Sequence, residues 1–404
     1  ADKIKLLPKS TQELVKIAAC IGNQFELERL ALFSGDSLKI TALNLHPAIE
    51  IGLILPLSEA YKSIELGVKP PREDVILYKF VHDRIQQAAY NLISEDYRKK
   101  IHLHLGQSLL QNIPENQLEG RIFEIVNSLN QSINIIKSKI QRDELAKLNL
   151  IAARKAKLSG AYEPAFKYLH TGIQLLAENS WENQYQLTLS LYTEAVEATF
   201  ANTNLSEVLR LSEIVFKQAR NILDKVPVYQ ILVQFYIGQN QMQTALDTGL
   251  EVLEILGIPI VKQPPQNLII TELENKLPVQ SPEIKAALGI LISLIGPVYQ
   301  TFPVVWEQVV FTMVSLCRDF GNSSESAIAY LWYGILLCGS LESIDLGYQF
   351  GELGLRILEK FENRNIQAKF NNAFYGAVFP WKRDIKAALK PLQENINFAL
   401  EAGE

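Results

Sequence analysis

The sequence is poor in cysteine and histidine, which limits the chemistry it can carry. It has three cysteines (Cys20, Cys317 and Cys338) and five histidines among 404 residues. No two cysteines stand at a spacing typical of metal ligands, and each lies in an apolar stretch with a helical pattern. These features argue against a disulfide scaffold or a zinc finger. They favour buried thiols in a reducing, cytoplasmic compartment.

Complete catalytic signatures are also missing. The sequence has no G-x-x-x-x-G-K-[ST] phosphate loop, no G-x-S-x-G elbow and no H-E-x-x-H zinc motif. Asp319-Phe320-Gly321 spells a kinase motif, but no glycine-rich loop precedes it, and the pattern predicts a helix end with Gly321 as its cap. His102 and His104 are two residues apart on a predicted helix, so they face different sides. We therefore predict no catalytic residue, no metal site and no cofactor within these 404 residues.

An excess of positive charge is absent too. Lysine and arginine number 39 against 44 aspartates and glutamates, a net charge of −5. This balance argues against a general nucleic-acid or anionic-membrane binder. The longest apolar run, Ile284–Val298, carries Lys285 and ends in Gly296-Pro297, so it indicates a core helix rather than a membrane span. We expect neither nucleic acid nor a membrane as a partner.

The most informative segment is Tyr78–Ile93, where a strand pattern passes directly into a helix pattern. Apolar residues of β type occupy Val75–Phe80, and an apolar stripe at three- and four-residue spacing begins at Ile85. His82 and Asp83 stand between the two patterns. Asp83 could simply cap the helix while His82 packs half-buried. Alternatively, the imidazole of His82 could face an anion held near the helix N-terminus.

The first 94 residues predict three helices, then a β-hairpin, then a helix. The helices are expected at Ser10–Ile21, Glu26–Phe33 and Leu38–Gly52, and the hairpin strands at Leu53–Leu57 and Val75–Phe80. This is the arrangement of a winged helix, which we assign to residues 1–94. Winged helices often bind DNA through the third helix, but here that helix offers Lys39 as its one basic donor. Protein packing is therefore favoured, and the DNA-binding and effector region of a transcription regulator is the alternative function.

From about residue 95 onward the pattern is helical and repetitive. Five amphipathic helices share a pattern with a small residue at an equivalent place, and the aligned positions are Ala165, Val208, Ala245, Gly347 and Ala388. Each follows another predicted helix, and the period is about 40 residues, as in helical-hairpin solenoids. Gly160-Ala161-Tyr162 with Ala165 resembles a tetratricopeptide (TPR) signature. The predicted fold is thus mainly α: a winged helix, TPR-like repeats over residues 95–260, and further hairpins of the same solenoid over residues 261–404.

Five segments together resemble one region of a family of very large cyanobacterial signalling proteins. They are LPKSTQELVKIAACIGNQFELERLA (7–31), YKFVHDRIQQAAYNLI (78–93), FEIVNSLNQS (123–132), LAKLNLIAARKAKLSGAYEPAFKYL (145–169) and FGNSSESAIAYLWYGILL (320–337). That family joins a serine/threonine kinase, an AAA-type ATPase of the STAND class, a long helical region, a GAF domain and a sensor histidine kinase. The resemblance is to the winged helix after the ATPase and to the helical region. The chain lacks an initiator Met and ends within a predicted helix, so we expect it to be part of a longer protein.

The resemblance gives Val81-His82-Asp83 a specific meaning. Related STAND ATPases carry a Met-His-Asp motif at the same strand-to-helix position, whose His contacts the β-phosphate of ADP and holds the closed state. Here Val81 replaces the Met. The resemblance implies that His82 senses the nucleotide in the parent protein, and that Asp83 orients His82 and caps the helix. ATP or ADP with magnesium would bind the ATPase domain of the parent, outside these residues.

The resemblance therefore implies a non-catalytic regulatory and protein-interaction module of a multidomain signal-transduction kinase. It would couple the nucleotide state of an adjacent STAND-type ATPase to a downstream sensor histidine kinase. The expected partners are those adjacent ATPase and kinase domains, together with an unknown protein or small-molecule effector on the solenoid.

Overall fold

The computed structural model describes residues 2–57, 61, 64, 75–361 and 363–402. The chain divides into two compact units: unit 1 comprises residues 1–155 and 170–178, and unit 2 comprises residues 156–169 and 179–404. The described chain is mainly α-helical, with a small three-stranded sheet. The domain boundaries expected after residues 94 and 260 differ from this division and stay predictions.

Unit 1 holds the sheet and the N-terminal helices. Its elements are, in chain order, α1 (Asp2–Lys5), α2 (Lys9–Ile21), β1 (Gln24–Glu26), α3 (Leu27–Ser34), α4 (Leu38–Glu50), β2 (Ile54–Pro56), β3 (Leu77–Phe80), α5 (Asp83–Asn91), α6 (Glu95–Asn112) and α7 (Leu118–Asn130). Helices α8 (Lys139–Leu158) and α9 (Tyr162–Leu175) contribute residues to both units.

The three helices predicted in the N-terminal region are present as α2, α3 and α4. Their ends lie at most two residues from the predicted ones. Helix α2 stops where Gly22 takes a φ of 152°, and the Gly22 N–H donates to the Ala18 carbonyl at 3.1 Å. Helix α4 starts after Ser37, whose hydroxyl accepts from the backbone N–H of Ile40. The glycine after α2 and the serine before α4 are residue types that these positions favour. The first turn of α2 shows no side-chain cap, although Ser10 or Thr11 could have supplied one.

The sheet has strand order β1-β3-β2, with β3 in the centre and both pairings antiparallel. Phe25 of β1 lies opposite Tyr78 of β3, and their rings stack with centroids 5.9 Å apart. Phe25, Tyr78 and Phe80 are almost completely buried. The sequence analysis missed β1, because three residues give too short a pattern to recognise. Strand β3 begins at Leu77 and not at Val75 as predicted, and most residues between β2 and β3 lie outside the described part.

Unit 2 consists of helices. They are α10 (Ser180–Asn183), α11 (Tyr185–Ala201), α12 (Leu205–Gln218), α13 (Ile222–Gly238), α14 (Met242–Ile255), α15 (Ile270–Glu274), α16 (Pro282–Thr301), α17 (Pro303–Phe320), α18 (Ser324–Gly339), α19 (Ile344–Phe361), α20 (Arg364–Ala373) and α21 (Leu389–Ala402). Successive helices pack in pairs, as in α11–α12, α13–α14, α16–α17, α18–α19 and α20–α21. This pairing is consistent with the predicted hairpin repeat.

The positions aligned in the repeats are all buried. Ala165, Val208 and Ala245 are 0% exposed, Ala388 is 1% exposed, and Gly347 is buried as well. The last repeat departs from a regular hairpin. Its first helix ends at Ala373 and continues as a π-helical turn, and Ala388 lies in a 3₁₀ turn rather than in the predicted α-helix.

Helix α16 resembles a membrane span by length and composition. Among the described residues it is the one helix that meets that test, and half of its apolar window is buried. Leu288, Leu291 and Leu294 are fully buried and belong to the connected apolar core of unit 2. A core helix passes the same test, so this agrees with the sequence-based interpretation of Ile284–Val298.

Glycine residues allow α18 and α19 to touch through their backbones. A Cβ atom added to Gly334 of α18 would lie 2.6 Å from the Gly347 carbonyl oxygen of α19. One added to Gly347 would lie 2.5 Å from the Sγ atom of Cys338. Both distances are shorter than a non-bonded contact allows, so no side chain fits between these helices. This explains why the aligned position of this repeat is occupied by glycine.

We predict that Gly334→Ala lowers the free energy of unfolding by about 1–3 kcal/mol, because the added methyl forces the two helix backbones apart. Gly339→Ala is the matched control on the same helix, since nothing lies within 4 Å of its added Cβ. Urea unfolding of both variants measures the difference. Equal midpoints would show that α18 and α19 are not in backbone contact.

A second prediction concerns the repeat register. Ala245→Glu places a carboxylate in a fully buried site of α14, and an unpaired buried charge costs several kcal/mol. We expect insoluble protein or loss of cooperative unfolding. Thr244→Glu adds the same charge one residue earlier, at an exposed position, and should melt close to the parent chain. If both variants melt alike, the aligned positions do not face the helix–helix contact.

Candidate functional site

His82 and Asp83 lie at the junction between β3 and α5, as the sequence indicated. His82 has extended backbone angles (φ −144°, ψ 146°) and occupies the position directly before the helix, whose first residue is Asp83. Both side chains are exposed. The His82 carbonyl accepts the N–H of Ile85 at 2.9 Å, which starts the first turn.

Two details of the sequence interpretation are wrong. Asp83 was expected to cap α5, but the capping position belongs to His82, and no side chain there caps the helix. His82 was also considered a half-buried packing residue, whereas it is exposed. Within the described part of the chain, neither side chain forms a hydrogen bond or ion pair with another residue. The carboxylate of Asp83 lies in the first turn, where the helix dipole still favours negative charge.

The backbone leading to His82 is firmly positioned by its neighbours. The N–H of Phe80 donates to the Asn23 carbonyl at 2.9 Å, and the N–H of Val81 donates to the Leu53 carbonyl at 3.1 Å. The Phe80 side chain is 1% exposed. The amide of Gln86 in α5 donates to the Ala19 carbonyl of α2 at 3.0 Å. An exposed imidazole is therefore presented from a backbone that its neighbours hold by hydrogen bonds, and it has no packing role.

The far end of α5 is joined to α6 by a cluster that the sequence analysis did not assemble. The hydroxyl of Tyr90 and Nε2 of His102 are 3.1 Å apart and share a hydrogen bond. The guanidinium of Arg98 lies over the Tyr90 ring, 4.2 Å from its centroid, and donates to the Ile93 carbonyl at 3.1 Å. The signal available in the sequence was the four-residue spacing of Arg98 and His102, which places both on one face of a helix.

Burial sets the protonation of this cluster. It raises the pKa of the Cys20 thiol to about 12, against the opposing effect of the Arg98 cation. It lowers the pKa of His102 below 6.5, and the nearby Arg98 charge lowers it further. It also raises the pKa of Tyr90. Cys20 is thus a protonated thiol without nucleophilic character, and His102 is neutral at pH 7. The cluster is suited to holding α5 against α6.

The His102 environment predicts a pH-dependent stability. Its folded pKa lies below the unfolded value, so the unfolded chain binds the proton first as the pH falls. The contribution of neutral His102 is fully present above about pH 6.5 and is lost as the pH drops below that value. We expect His102→Gln, which keeps a hydrogen-bonding group near Tyr90, to flatten the fall in stability between pH 7 and pH 5. The control His104→Gln, exposed on the same helix, keeps His102 and should keep that fall. Identical pH profiles for the two variants would contradict the assignment.

The Asp319-Phe320-Gly321 string and the pair His102 and His104, noted in the sequence, do not form a site. Asp319 pairs with Arg318 through two short contacts of 2.7 and 2.9 Å at the end of α17, and Gly321 caps that helix with a φ of 108°. His102 is buried while His104 is exposed, so they face different sides as predicted. Over residues 2–57 and the rest of the described chain, no group of three or more His, Cys, Asp or Glu could hold a metal ion.

A buried polar network in unit 2 includes Asn322, Ser326 and Tyr330 of the segment 320–337, which carried part of the family resemblance. The amide of Asn322 donates to the Leu273 carbonyl at 2.6 Å and accepts from the Tyr330 hydroxyl at 2.8 Å. The thiol of Cys317 donates to the Ser326 hydroxyl at 3.2 Å, and burial raises its pKa to about 12. Because these polar groups are satisfied inside the protein, the network fixes the start of α18 and offers no reactive group.

Comparison with known proteins gives a distant signalling relative. No family model matches the chain. The hybrid signal transduction histidine kinase G of Dictyostelium discoideum is 25% identical over 441 residues, a match that covers 90% of this chain. The chain spans 13% of the length of that relative.

Among solved structures, a signal transduction ATPase with numerous domains (STAND) from Pyrococcus horikoshii, which carries a tetratricopeptide repeat sensor, matches with a TM-score of 0.43 and 13% identity. That match covers 99% of this chain and 58% of the other.

Proposed function

We propose that this chain is a non-catalytic regulatory and protein-interaction module of a multidomain signal-transduction kinase. It couples the nucleotide state of an adjacent STAND-type ATPase to a downstream sensor histidine kinase. Within it, residues 1–94 act as a winged helix, and the element order α2-β1-α3-α4-β2-β3 of unit 1 supports that assignment. The repeats act as a TPR-like solenoid that receives an effector.

The observation that carries the proposal is the connection of α5 at both ends. Its first end presents His82 to solvent from a backbone fixed by β3. Its second end is joined to α6 through Tyr90, Arg98 and His102. A force on His82 is therefore transmitted along nine helical residues to the first long helix after the sheet.

Further contacts inside unit 1 tie the N-terminal region to α6 and α7. Arg29 of α3 pairs with Glu124 of α7 at 2.9 Å. Phe33 of α3 meets the ring of His104 of α6 edge-on, with centroids 6.0 Å apart. Surface ion pairs contribute little stability each, but together with the buried cluster they hold the sheet region and these helices in one compact unit. A nucleotide signal that moves the sheet region must therefore also move helices α6 and α7.

The Dictyostelium relative supports the signalling part of the proposal, because its name places such a sequence within a histidine kinase. In the parent protein, ATP or ADP with magnesium binds the adjacent ATPase domain, and His82 contacts a nucleotide phosphate. Asp83 stands beside it in the first turn of α5. ADP binding then favours the closed state over the open one, and the solenoid effector favours the other state.

The alternative, a DNA-binding region of a transcription regulator, has less support in the structure. The exposed face of α4 presents Ile40 and Leu43, 48% and 49% exposed, beside Lys39. His46 on the same helix lies 3.3 Å from the carboxylate of Glu50. Phosphate contacts from lysine and arginine normally supply most of the affinity for DNA, and this face is largely apolar. It is better suited to a protein partner such as the ATPase domain.

The test is His82→Ala, made both in this chain and in the longer protein that contains the ATPase. We expect the chain to keep its melting temperature, because the imidazole is exposed. We expect the longer protein to bind ADP about tenfold more weakly or worse, since a hydrogen bond to a charged phosphate contributes about 1–3 kcal/mol. Thermal melts and ADP titration measure the two effects.

His170→Ala is the matched control, because His170 is also an exposed histidine of unit 1 but lies on α9, away from both α4 and α5. It should leave ADP affinity unchanged. An unchanged ADP affinity in His82→Ala would contradict the nucleotide-sensing role of His82. Strong destabilisation of the isolated chain by His82→Ala would show instead that the residue is structural.

A further inference from the structure

A half-open cavity of about 480 Å³ lies in unit 1, between α6 and α8. Its floor is aliphatic: Leu129 at the end of α7, Ile136, and Leu145 and Leu148 of α8 are each between 1% and 5% exposed. Its volume falls within the range of about 300–1,000 Å³ that is typical of small-molecule sites in proteins. No residue of the nucleotide-sensing junction lines it.

The walls of this cavity are held in place, so it does not simply close. Asn130 of α7 and Asn149 of α8 exchange two reciprocal amide hydrogen bonds of 2.9 Å, and Asn149 is fully buried. Leu129 is seated against Gly106 of α6, where an added Cβ would lie 2.5 Å from the leucine side chain. The segment leading to Ile136 is pinned by Ser132, whose hydroxyl donates to the Lys99 carbonyl of α6 at 2.7 Å. These contacts fix the spacing of all three helices.

The rim of the cavity differs from its floor in chemistry. Glutamine side chains, among them Gln107 of α6, line the rim, and Glu144 of α8 joins them. Glu144 is the charged group among the described residues that line the cavity, and its side chain is exposed. An anionic ligand would meet this carboxylate without a basic partner in the lining. A cationic ligand would find an acceptor, with amide groups to complete its hydrogen bonds.

We propose that this cavity binds a small cationic amphiphile, whose aliphatic body lies on the leucine and isoleucine floor and whose ammonium group pairs with Glu144. The apolar floor supplies affinity through burial of the aliphatic chain. The carboxylate at the rim selects the sign of the head group. The proposal rests on unit 1 alone and does not depend on the nucleotide-sensing function.

The test uses the full chain and three probes with the same tail: octylammonium, 1-octanol and octanoate, titrated by calorimetry at low salt. We expect saturable binding at one site, tightest for octylammonium and weakest for octanoate. The ratio between these two should be about fivefold, in line with a solvent-exposed ion pair, and should shrink in high salt. Glu144→Gln should reduce the ratio to less than about twofold while binding of octanol is retained.

Leu110→Trp tests the location, because Leu110 is a half-buried lining residue and the larger ring should fill the space. We expect it to weaken all three probes at least tenfold. Two controls should leave binding unchanged. Leu158→Trp places the same ring at a position that is 90% exposed. Glu119→Gln removes an exposed charge of the same unit outside the cavity lining. Absence of saturable binding to the parent chain would overturn the proposal. So would a head-group preference that survives Glu144→Gln, or binding unaffected by Leu110→Trp when that variant melts like the parent.

Discussion

Close approach of neighbouring helices is the constraint on which this structure depends. An isolated amphipathic helix cannot bury its apolar face, so each helix of the repeat region is stable only against the next. The buried positions Ala165, Val208 and Ala245 permit that approach with a small or compact side chain. At α18 and α19 the approach is so close that only glycine fits, and the carbonyl oxygen of Gly347 occupies the space of a methyl group on Gly334.

The same constraint explains how two buried asparagines of the helical region are paired. Once backbones approach closely, a buried amide or hydroxyl has no access to water and needs a protein partner. Asn149 forms hydrogen bonds with Asn130, and Asn322 forms hydrogen bonds with Tyr330 and the Leu273 carbonyl. These pairs are directional, whereas apolar contacts are not, so they define which helix packs where. The cavity between α6 and α8 stays open because such a pair fixes its walls.

Much of this could be predicted from the sequence, because helices and repeats are local or periodic. Gly22 marks the end of α2 through the chemistry of one residue, and the repeat positions recur along the chain. The predictions that failed concerned features that are either too short to recognise or not local in the sequence. Strand β1 has three residues and is defined by its pairing with β3. The role of Asp83 as a cap was one residue out of register, because capping depends on where the backbone turns and not only on residue type.

The candidate site was predictable only in part for a related reason. The junction at His82 is formed by consecutive residues, so its position could be inferred from the sequence. The cluster of Cys20, Tyr90, Arg98 and His102 joins residues of three helices, and no spacing pattern links Cys20 to the others. The cavity likewise has its floor on α7 and α8 and part of its rim on α6. Such sites exist only after the helices have packed.

Helix α6 connects the two proposals physically. Its first half, with Arg98 and His102, holds the end of α5 that leads to His82. Its second half, with Gln107 and Leu110, lines the cavity. A rigid helix that contacts both places transmits a displacement from one to the other over its 18 residues. If a ligand in the cavity and a nucleotide at His82 prefer different positions of α6, thermodynamic linkage requires each to weaken the binding of the other by the same factor. A factor that differs from one, measured in the longer protein, distinguishes coupled sites from two independent ones.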